Sequence, residues 1–204
     1  MSQFERSTCN CPKCKSEIGF TRWTSINADL NPEIREELFT GNFGKVICPR
    51  CGQVSYVEYD FLYHDMRGKY MIGVSSDFSD AAKQLGVPKD YILRKVYGIN
   101  ALIEKIKIFD DGYNDIALEI MKEVIKNLQR INKREEMLYA YTKGKRIGFA
   151  LSKSSRIVEL DSKFYNTIIR DLDMSEFEEE YGKFLEIGSK SIKNLFKRDK
   201  ALRV

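Results

Sequence analysis

Two copies of the pattern Cys-Pro-x-Cys, at residues 11–14 and 48–51, restrict the possible folds of this chain more than any other feature. The proline after each first cysteine fixes one backbone angle, and Gly52 after the second copy permits a left-handed turn. Two thiolates three positions apart on a tight turn point to one side, so two such turns, or knuckles, can surround one metal ion. This repeated spacing predicts a structural zinc site. Its four ligands are Cys11, Cys14, Cys48 and Cys51.

Other chemistries of the cysteines agree less well with the sequence, and one of them stays open. A redox dithiol uses a single Cys-x-x-Cys step that begins a helix, whereas both steps here precede extended sequence. Disulfides are rare in the reducing cytosol. A single iron ion in a rubredoxin-like electron carrier stays open, because four thiolates suit either metal. The fifth cysteine, Cys9, does not match the spacing of the second pair, and we expect a small apolar side chain on a strand there.

The 33 residues between Cys14 and Cys48 explain why a metal would be needed. Closing a loop of this length costs about 3 kcal/mol of chain entropy, and domains below roughly 70–80 residues seldom have a sufficient core. Structural zinc contributes an apparent binding free energy of about 10–16 kcal/mol. We therefore expect residues 1–76 to form a zinc-ribbon domain that folds poorly without its metal.

Residue patterns within this first domain predict antiparallel strands with one inserted helix. Asn31 is placed to cap the helix, Pro32 occupies its first turn, and Gly41 follows its end. Alternating apolar residues between turn signals predict three strands. They are "SEIGFTRWT", "QVSYVEYD" and "KYMIGV".

Residues 77–204 predict a second domain of helices and a small α+β unit, so we expect the whole chain to be α+β. Asn114 is placed to cap a long amphipathic helix, and a "KGK" turn joins alternating strands within residues 137–160. Ser175 and Glu178 have the spacing of a capping box, which predicts a helix from there to the tail. Further predicted elements are the helices "SDAAKQLG", "NALIEKIKIFDDG" and "DSKFYNTIIRDL" and the strand "YILRKVYG".

Two groups of residues offer chemistry outside the cysteines. His64 is the only histidine, and no GxSxG or HExxH pattern accompanies it. We expect it to be a hydrogen-bonded structural residue, with metal ligation as the alternative. An acidic group near one helix junction could hold a divalent cation, but carboxylates that cap the helices explain it as well. Its members are Asp110, Asp111, Asp115 and Glu119. These patterns favour a protein with no catalytic residues.

Charge is distributed unevenly along the chain. Residues 1–80 carry 9 basic and 11 acidic side chains, a net −2, whereas residues 81–204 carry 25 and 19, a net +6. The basic part is compatible with nucleic-acid binding, but the predicted ribbon has the wrong sign for a phosphate surface. No apolar run approaches the roughly 18–20 residues of a membrane span. Because "MSQFERSTCN" also lacks the pattern of a secretory signal, we expect a cytoplasmic protein.

The residues around both cysteine pairs resemble the CpXC protein family, which is named for its paired Cys-Pro-x-Cys motif. The resemblance is close over residues 9–74, including "SINADLNPEIREELFTGNF" between the knuckles and "YHDM" after them. It continues more loosely through "GINALIEKIKIFDDGYNDIALEIMK", residues 98–122. Lys15 stands where many similar knuckles have glycine. The resemblance implies a bacterial, intracellular, metal-binding protein, and it implies no particular reaction.

A non-catalytic binding or adaptor module is the function that these patterns favour. A zinc ribbon offers strand edges and aromatic residues such as Trp23, Tyr56 and Tyr59 to a protein partner. An apolar stripe in the basic tail predicts docking on the chain's own core or on a second copy. Its members are Ile192, Leu195, Phe196 and Leu202. A nucleic-acid-binding zinc ribbon and a rubredoxin-like iron electron carrier are the alternatives.

Overall fold

The structure is a computed structural model in which four segments of the chain are described. They are residues 1–75, 86–132, 134–171 and 182–198. Helices and strands are both abundant in these segments, which confirms the α+β class. The capping box of Ser175 and Glu178 and nearly all of the predicted helix "SDAAKQLG" lie outside the described residues.

The chain divides into two compact units. Within the described residues, the first unit consists of residues 1–102 and 182–184, and the second of residues 103–171 and 185–198. No helix in either set combines the length and the apolar character that crossing a membrane requires.

The first unit is built on a five-stranded sheet. Its strands are β1 (Gln3–Asn10), β2 (Glu17–Asn27), β5 (Phe61–Asp65), β6 (Tyr70–Val74) and β7 (Ile92–Val96), which lie side by side in that order. The pairs β1–β2 and β5–β6 are antiparallel as predicted, whereas β2–β5 and β6–β7 are parallel. Parallel neighbours need a long crossover connection, and residues 28–60 provide one between β2 and β5.

This crossover carries one helix and a small hairpin. The helix α1 (Pro32–Thr40) is followed by the antiparallel strands β3 (Lys45–Ile47) and β4 (Val54–Tyr56). As predicted, α1 ends at Gly41, which has a left-handed φ of 70°. The predicted side-chain cap is wrong, because the Asn31 amide donates to the Glu33 carboxylate instead of accepting from a helix N–H.

The last strand, β7, extends the first sheet past the domain boundary that the sequence predicts at residue 76. It pairs in parallel with the whole of β6. Compactness alone does not show which segment folds independently. The division into residues 1–76 and 77–204 therefore stays a prediction.

The second unit packs helices on a three-stranded antiparallel sheet. The helix α2 (Ile99–Asp110) leads into α3 (Asp115–Leu128), and the Asn114 side chain accepts from the Ile116 and Ala117 N–H groups as the predicted cap. The sheet has the order β10-β9-β8, and two shorter helices follow it. These elements are β8 (Met137–Lys143), β9 (Arg146–Leu151), β10 (Ile157–Asp161), α4 (Ser162–Asp171) and α5 (Ser189–Arg198).

The tail helix α5 docks within the second unit. Ile192 is fully buried against Ile116 and Ile120 of α3, which confirms docking on the chain's own core for that residue. The side chains of Leu195, Phe196 and Leu202 lie outside the described ones. Residues 182–188 are not helical as predicted, because Gly182 has a left-handed φ of 88° and α5 begins only after Gly188.

Candidate metal centre

The first knuckle closes the turn between β1 and β2. The Cys11 N–H donates to the Ser16 carbonyl at 2.9 Å, and the Lys15 N–H donates to the Cys11 carbonyl at 3.0 Å. Lys15 has a left-handed φ of 61°, a conformation that costs a residue with a Cβ about 1 kcal/mol. The turn is therefore closed even though lysine replaces the glycine found in similar knuckles.

The second knuckle closes the β3–β4 hairpin with the same two bonds. The Cys48 N–H donates to the Gln53 carbonyl at 2.9 Å, and the Gly52 N–H donates to the Cys48 carbonyl at 2.9 Å. Gly52 has a φ of 70°, which glycine adopts without strain. Gly52 thus occupies the position that Lys15 occupies in the first knuckle.

The four sulfur atoms of the two knuckles converge. All of them lie within 4.8 Å of one another, and the Cys11–Cys51 and Cys14–Cys48 sulfur pairs are both 3.6 Å apart. A disulfide needs about 2.05 Å, and all the cysteines are free thiols. Four sulfurs around one ion at a zinc–sulfur length of about 2.3 Å lie roughly 3.8 Å apart. This donor set therefore fits a tetrahedral metal ion.

The Ser16 hydroxyl lies between two of these sulfurs, 3.0 Å from Cys14 Sγ and 3.1 Å from Cys48 Sγ. Its hydrogen bonds lower the pKa of Cys14, and together with backbone N–H groups they lower the pKa of Cys48 to about 6. The Gln53 N–H favours the thiolate of Cys51, but burial and the neighbouring sulfurs together raise the pKa of Cys51 to about 12. Thiolates this close repel one another, and a cation bound between them would favour their ionised forms.

A small core surrounds the knuckles. Cys11 and Cys48 are buried together with Ile18 and Val46. Cys9 on β1 pairs with Ile18 on β2. The Cys9 side chain packs against this core and is half-buried. Among the described side chains, the group able to hold a metal contains the four knuckle cysteines and not Cys9.

His64 lies in the middle of the first sheet. Its position on β5 pairs with Asn27 of β2 and Met71 of β6. Its Nε2 is 3.3 Å from the Tyr91 hydroxyl, the two rings are 5.5 Å apart, and burial lowers the pKa of the imidazole. The metal-holding group of the described residues does not include His64. These contacts agree with a hydrogen-bonded structural histidine.

Two acidic residues at the helix junction neutralise buried lysines. Lys105 Nζ lies 2.8 Å from Asp115 Oδ2 and 3.9 Å from Glu119 Oε1. Lys122 Nζ lies 2.7 Å from Glu119 Oε1 and 2.5 Å from Glu104 Oε1. Both carboxylates pair with lysine side chains inside the second unit, and Asp115 also stands in the first turn of α3, as the capping interpretation expects, whereas Glu119 lies further along the helix.

The other two aspartates of the helix junction, Asp110 and Asp111, are exposed to solvent. Asp111 accepts a hydrogen bond from the Tyr139 hydroxyl, and burial together with that carboxylate raises the pKa of the phenol. Asp110 is exposed at the end of α2. Within the described part of the chain, neither belongs to a group that could hold a metal ion.

The comparison with known families agrees with the resemblance in the sequence. A family model described as "CpXC protein" matches residues 9–122, more than half of the chain. The chain belongs to the CpXC family. The match includes both knuckles and α1 and reaches into α3. No curated protein and no solved structure is a significant match to this CpXC chain.

Ser16 is the site residue that the sequence patterns do not indicate. It stands two positions after Cys14, and the equivalent position of the second knuckle is Gln53. No motif marks the serine, because its hydroxyl reaches Cys48, 32 positions away in sequence, only when the two knuckles meet. The polar residue after the first knuckle is the only signal that could have suggested it.

Proposed function

We propose that the four knuckle cysteines of this CpXC chain hold a structural zinc ion and that the first unit acts as a non-catalytic binding module for a protein partner. The convergence of four sulfurs within 4.8 Å is the observation that supports the metal site. Closed four-thiolate sites have no open position for a substrate and are typical of structural zinc. The metal supplies the positive charge that allows all four thiolates to stay ionised.

Exposed groups beside the site support the binding role. Ile47, Val54 and Tyr56 lie on one face of the β3–β4 hairpin and are largely exposed. β1 is at the edge of its sheet, where an extended peptide can add a further strand. Trp23 and Tyr59, two of the aromatic residues expected to contact a partner, are half-buried.

Metal content tests the first half of this proposal. We expect one zinc ion per chain in the wild type and in Cys9→Ser, and loss of zinc in Cys48→Ser. Zinc protein is colourless, whereas four thiolates around iron absorb visible light. Iron at one equivalent per chain, or full zinc retention in Cys48→Ser, would refute the proposed site.

Retrieval of partners from a bacterial lysate tests the second half. The wild type should bring down a reproducible protein partner or form an oligomer of defined mass, and Cys48→Ser should lose that interaction. A strictly monomeric wild-type protein that retrieves nothing reproducible would contradict the binding role. The metal site would be unaffected by that result.

Nucleic-acid binding is a second candidate, favoured by the side chains at the tips of the knuckles. Lys13 and Arg50, the variable residues of the two Cys-Pro-x-Cys motifs, are both exposed, as is Lys15. Binding through these groups should weaken as salt rises, because phosphate contacts release counterions. Affinity for single-stranded or duplex DNA that does not change between low and moderate salt would rule this candidate out.

A further inference from the structure

A groove lined by aromatic side chains lies between β2 and the segment that follows α1 in the first unit. Four aromatic residues are among those that line it: Phe20 and Trp23 of β2, Phe43 and Tyr59. Its volume is about 410 Å³, within the range of roughly 300–1,000 Å³ that ligand sites occupy. We name it the aromatic groove.

The rings of the aromatic groove are packed against one another but remain accessible. The Tyr59 ring centroid lies 6.0 Å from that of Phe20 and 5.7 Å from that of Phe43. Phe43 is buried, whereas Phe20, Trp23 and Tyr59 are only half-buried. Aromatic faces carry negative partial charge and attract cations within about 6 Å of the ring centre. The groove therefore offers several faces that suit a cationic group.

Glu37 adds a full negative charge to the same groove. This residue of α1 lines it, and burial and then the nearby Glu33 raise the pKa of its carboxyl group. Among the described residues, no cationic side chain forms a salt bridge with Glu37. Glu37 is exposed, so its carboxylate is accessible, and a positively charged ligand beside it would favour its ionised form.

The chain has two cations of its own at or near the groove. The Arg22 guanidinium lies 5.8 Å from the centre of the Tyr59 ring, but its Nη1 pairs with Glu5 Oε1 at 2.8 Å. Lys45, which also lines the groove, directs its Nζ to Asn42 Oδ1 at 3.4 Å. The Arg22 contact shows that the Tyr59 ring accepts a cation, and among the described residues neither Arg22 nor Lys45 forms a salt bridge with Glu37.

We propose that the aromatic groove binds a lysine or arginine side chain of a partner peptide. The aliphatic stem packs against Trp23, Phe20 and Tyr59, and the charged end pairs with Glu37. The half-exposed rings leave room for a side chain that stays attached to a backbone outside the groove. This inference rests on the proposed binding function and names the kind of side chain that the partner presents.

Fluorescence of Trp23 gives a direct readout, because it is the only tryptophan of the chain. The full-length, metal-loaded protein is titrated with a short end-capped peptide of glycine and serine with one central lysine. A matched peptide with norleucine at the centre keeps the stem and removes the charge. We expect a saturable fluorescence change with the lysine peptide and an affinity about three- to fivefold lower for norleucine.

Two variants at adjacent residues of α1 separate the effect of the Glu37 carboxylate from the effect of removing any one negative charge from this helix. Glu37→Gln should weaken lysine-peptide binding about three- to fivefold, whereas Glu36→Gln, at an exposed position of α1, should leave it unchanged. The wild-type affinity should fall as salt rises. Equal binding of both peptides, no saturable change, or a salt-independent affinity would overturn the inference.

Metal content, measured in the same samples, distinguishes this inference from the proposed function. Samples that keep one zinc ion per chain and fail to bind the lysine peptide contradict the groove alone. Wild-type samples that never hold a metal contradict the proposed metal site, whether or not they bind the lysine peptide.

Discussion

The two units of the chain balance buried negative charge in different ways. In the first, four cysteine sulfurs meet within 4.8 Å, an arrangement that can hold a metal ion. In the second, Lys105 and Lys122 lie against buried carboxylates of the same chain. The second unit therefore balances its buried charges from its own sequence, whereas in the proposed function a bound metal ion balances the thiolates of the first.

The buried cluster at the knuckles is smaller than the main core of the second unit. Within the described residues it contains Cys11, Ile18, Val46 and Cys48, and the rest of the first unit has a core of its own around its sheet. The second unit has a core of ten buried residues that joins its sheet to its helices. These are Ile108, Leu118, Met121, Ile125, Met137, Tyr139, Ile147, Phe149, Leu151 and Val158. Removal of the metal should therefore lower the stability of the knuckles and leave the stability of the second unit unchanged.

The largest effect should come from Cys48→Ser. Structural zinc contributes an apparent binding free energy of about 10–16 kcal/mol, which is comparable to the whole stability of a typical domain. We expect the first unit to lose its cooperative unfolding transition, measured by Trp23 fluorescence in urea, while the helical signal of the second unit persists. Cys9→Ser is the control and should unfold like the wild type. A normal transition in Cys48→Ser would contradict the dependence on metal.

Breaking the buried ion pairs of Lys105 and Lys122 should have the next largest effect on stability, and this effect should be confined to the second unit. Lys105→Met removes the ammonium group that lies 2.8 Å from the buried Asp115 carboxylate. Loss of one partner of a buried pair costs about 3–5 kcal/mol, which circular dichroism in urea should detect. Arg170→Met is the control, because its pair with Asp171 is exposed and should matter little. An equally small effect of both variants would show that the network does not stabilise this unit.

Ser16→Ala should weaken metal binding without removing a ligand. Its hydroxyl contacts Cys14 Sγ and Cys48 Sγ, and loss of such an outer contact typically lowers metal affinity about 10- to 100-fold. Competition with a chromophoric chelator measures the change. Ser7→Ala, at a half-buried position of the same hairpin, provides the comparison. Unchanged affinity in Ser16→Ala would mean that the hydroxyl does not support the thiolates.

The two knuckles can be compared through their left-handed residues. Lys15→Gly should relieve strain and stabilise the first unit by up to about 1 kcal/mol, and Gly52→Ala should introduce strain and destabilise it by a similar amount. No atom lies within 4 Å of a Cβ added at Gly52, so the cost is conformational. Chemical denaturation measures both. Changes of the same sign would contradict the equivalence of the two turns.

The smallest effect should come from Glu37→Gln in the absence of peptide. Burial raises the pKa of this carboxyl group in the folded state, so its ionisation removes stability as pH rises through that pKa. The variant should therefore be slightly more stable than the wild type at pH 7 and no different below about pH 4. Denaturation at both pH values, with Glu36→Gln as control, tests this sign. A variant that is less stable at pH 7 would contradict it.

Local signals predicted the features that depend on neighbouring residues. The spacing of the cysteines, the cap at Asn114 and the end of α1 at Gly41 were all evident in the sequence. Long-range pairing was not, because nothing local distinguishes a parallel neighbour such as β7 from an antiparallel one. Lys105 and Lys122 likewise look like surface residues until their helices pack, and the Ser16 contact exists only once both knuckles meet.

Amide hydrogen exchange of the full chain, with and without a strong chelator, tests the dependence on metal most directly. We predict that chelation removes protection from residues 9–22 and 44–57, around the two knuckles, and leaves α3 and the β8–β10 sheet protected as before. Protection at the knuckles that is the same with and without chelator would contradict a metal-stabilised first unit. Loss of protection across both units alike would contradict the difference between them.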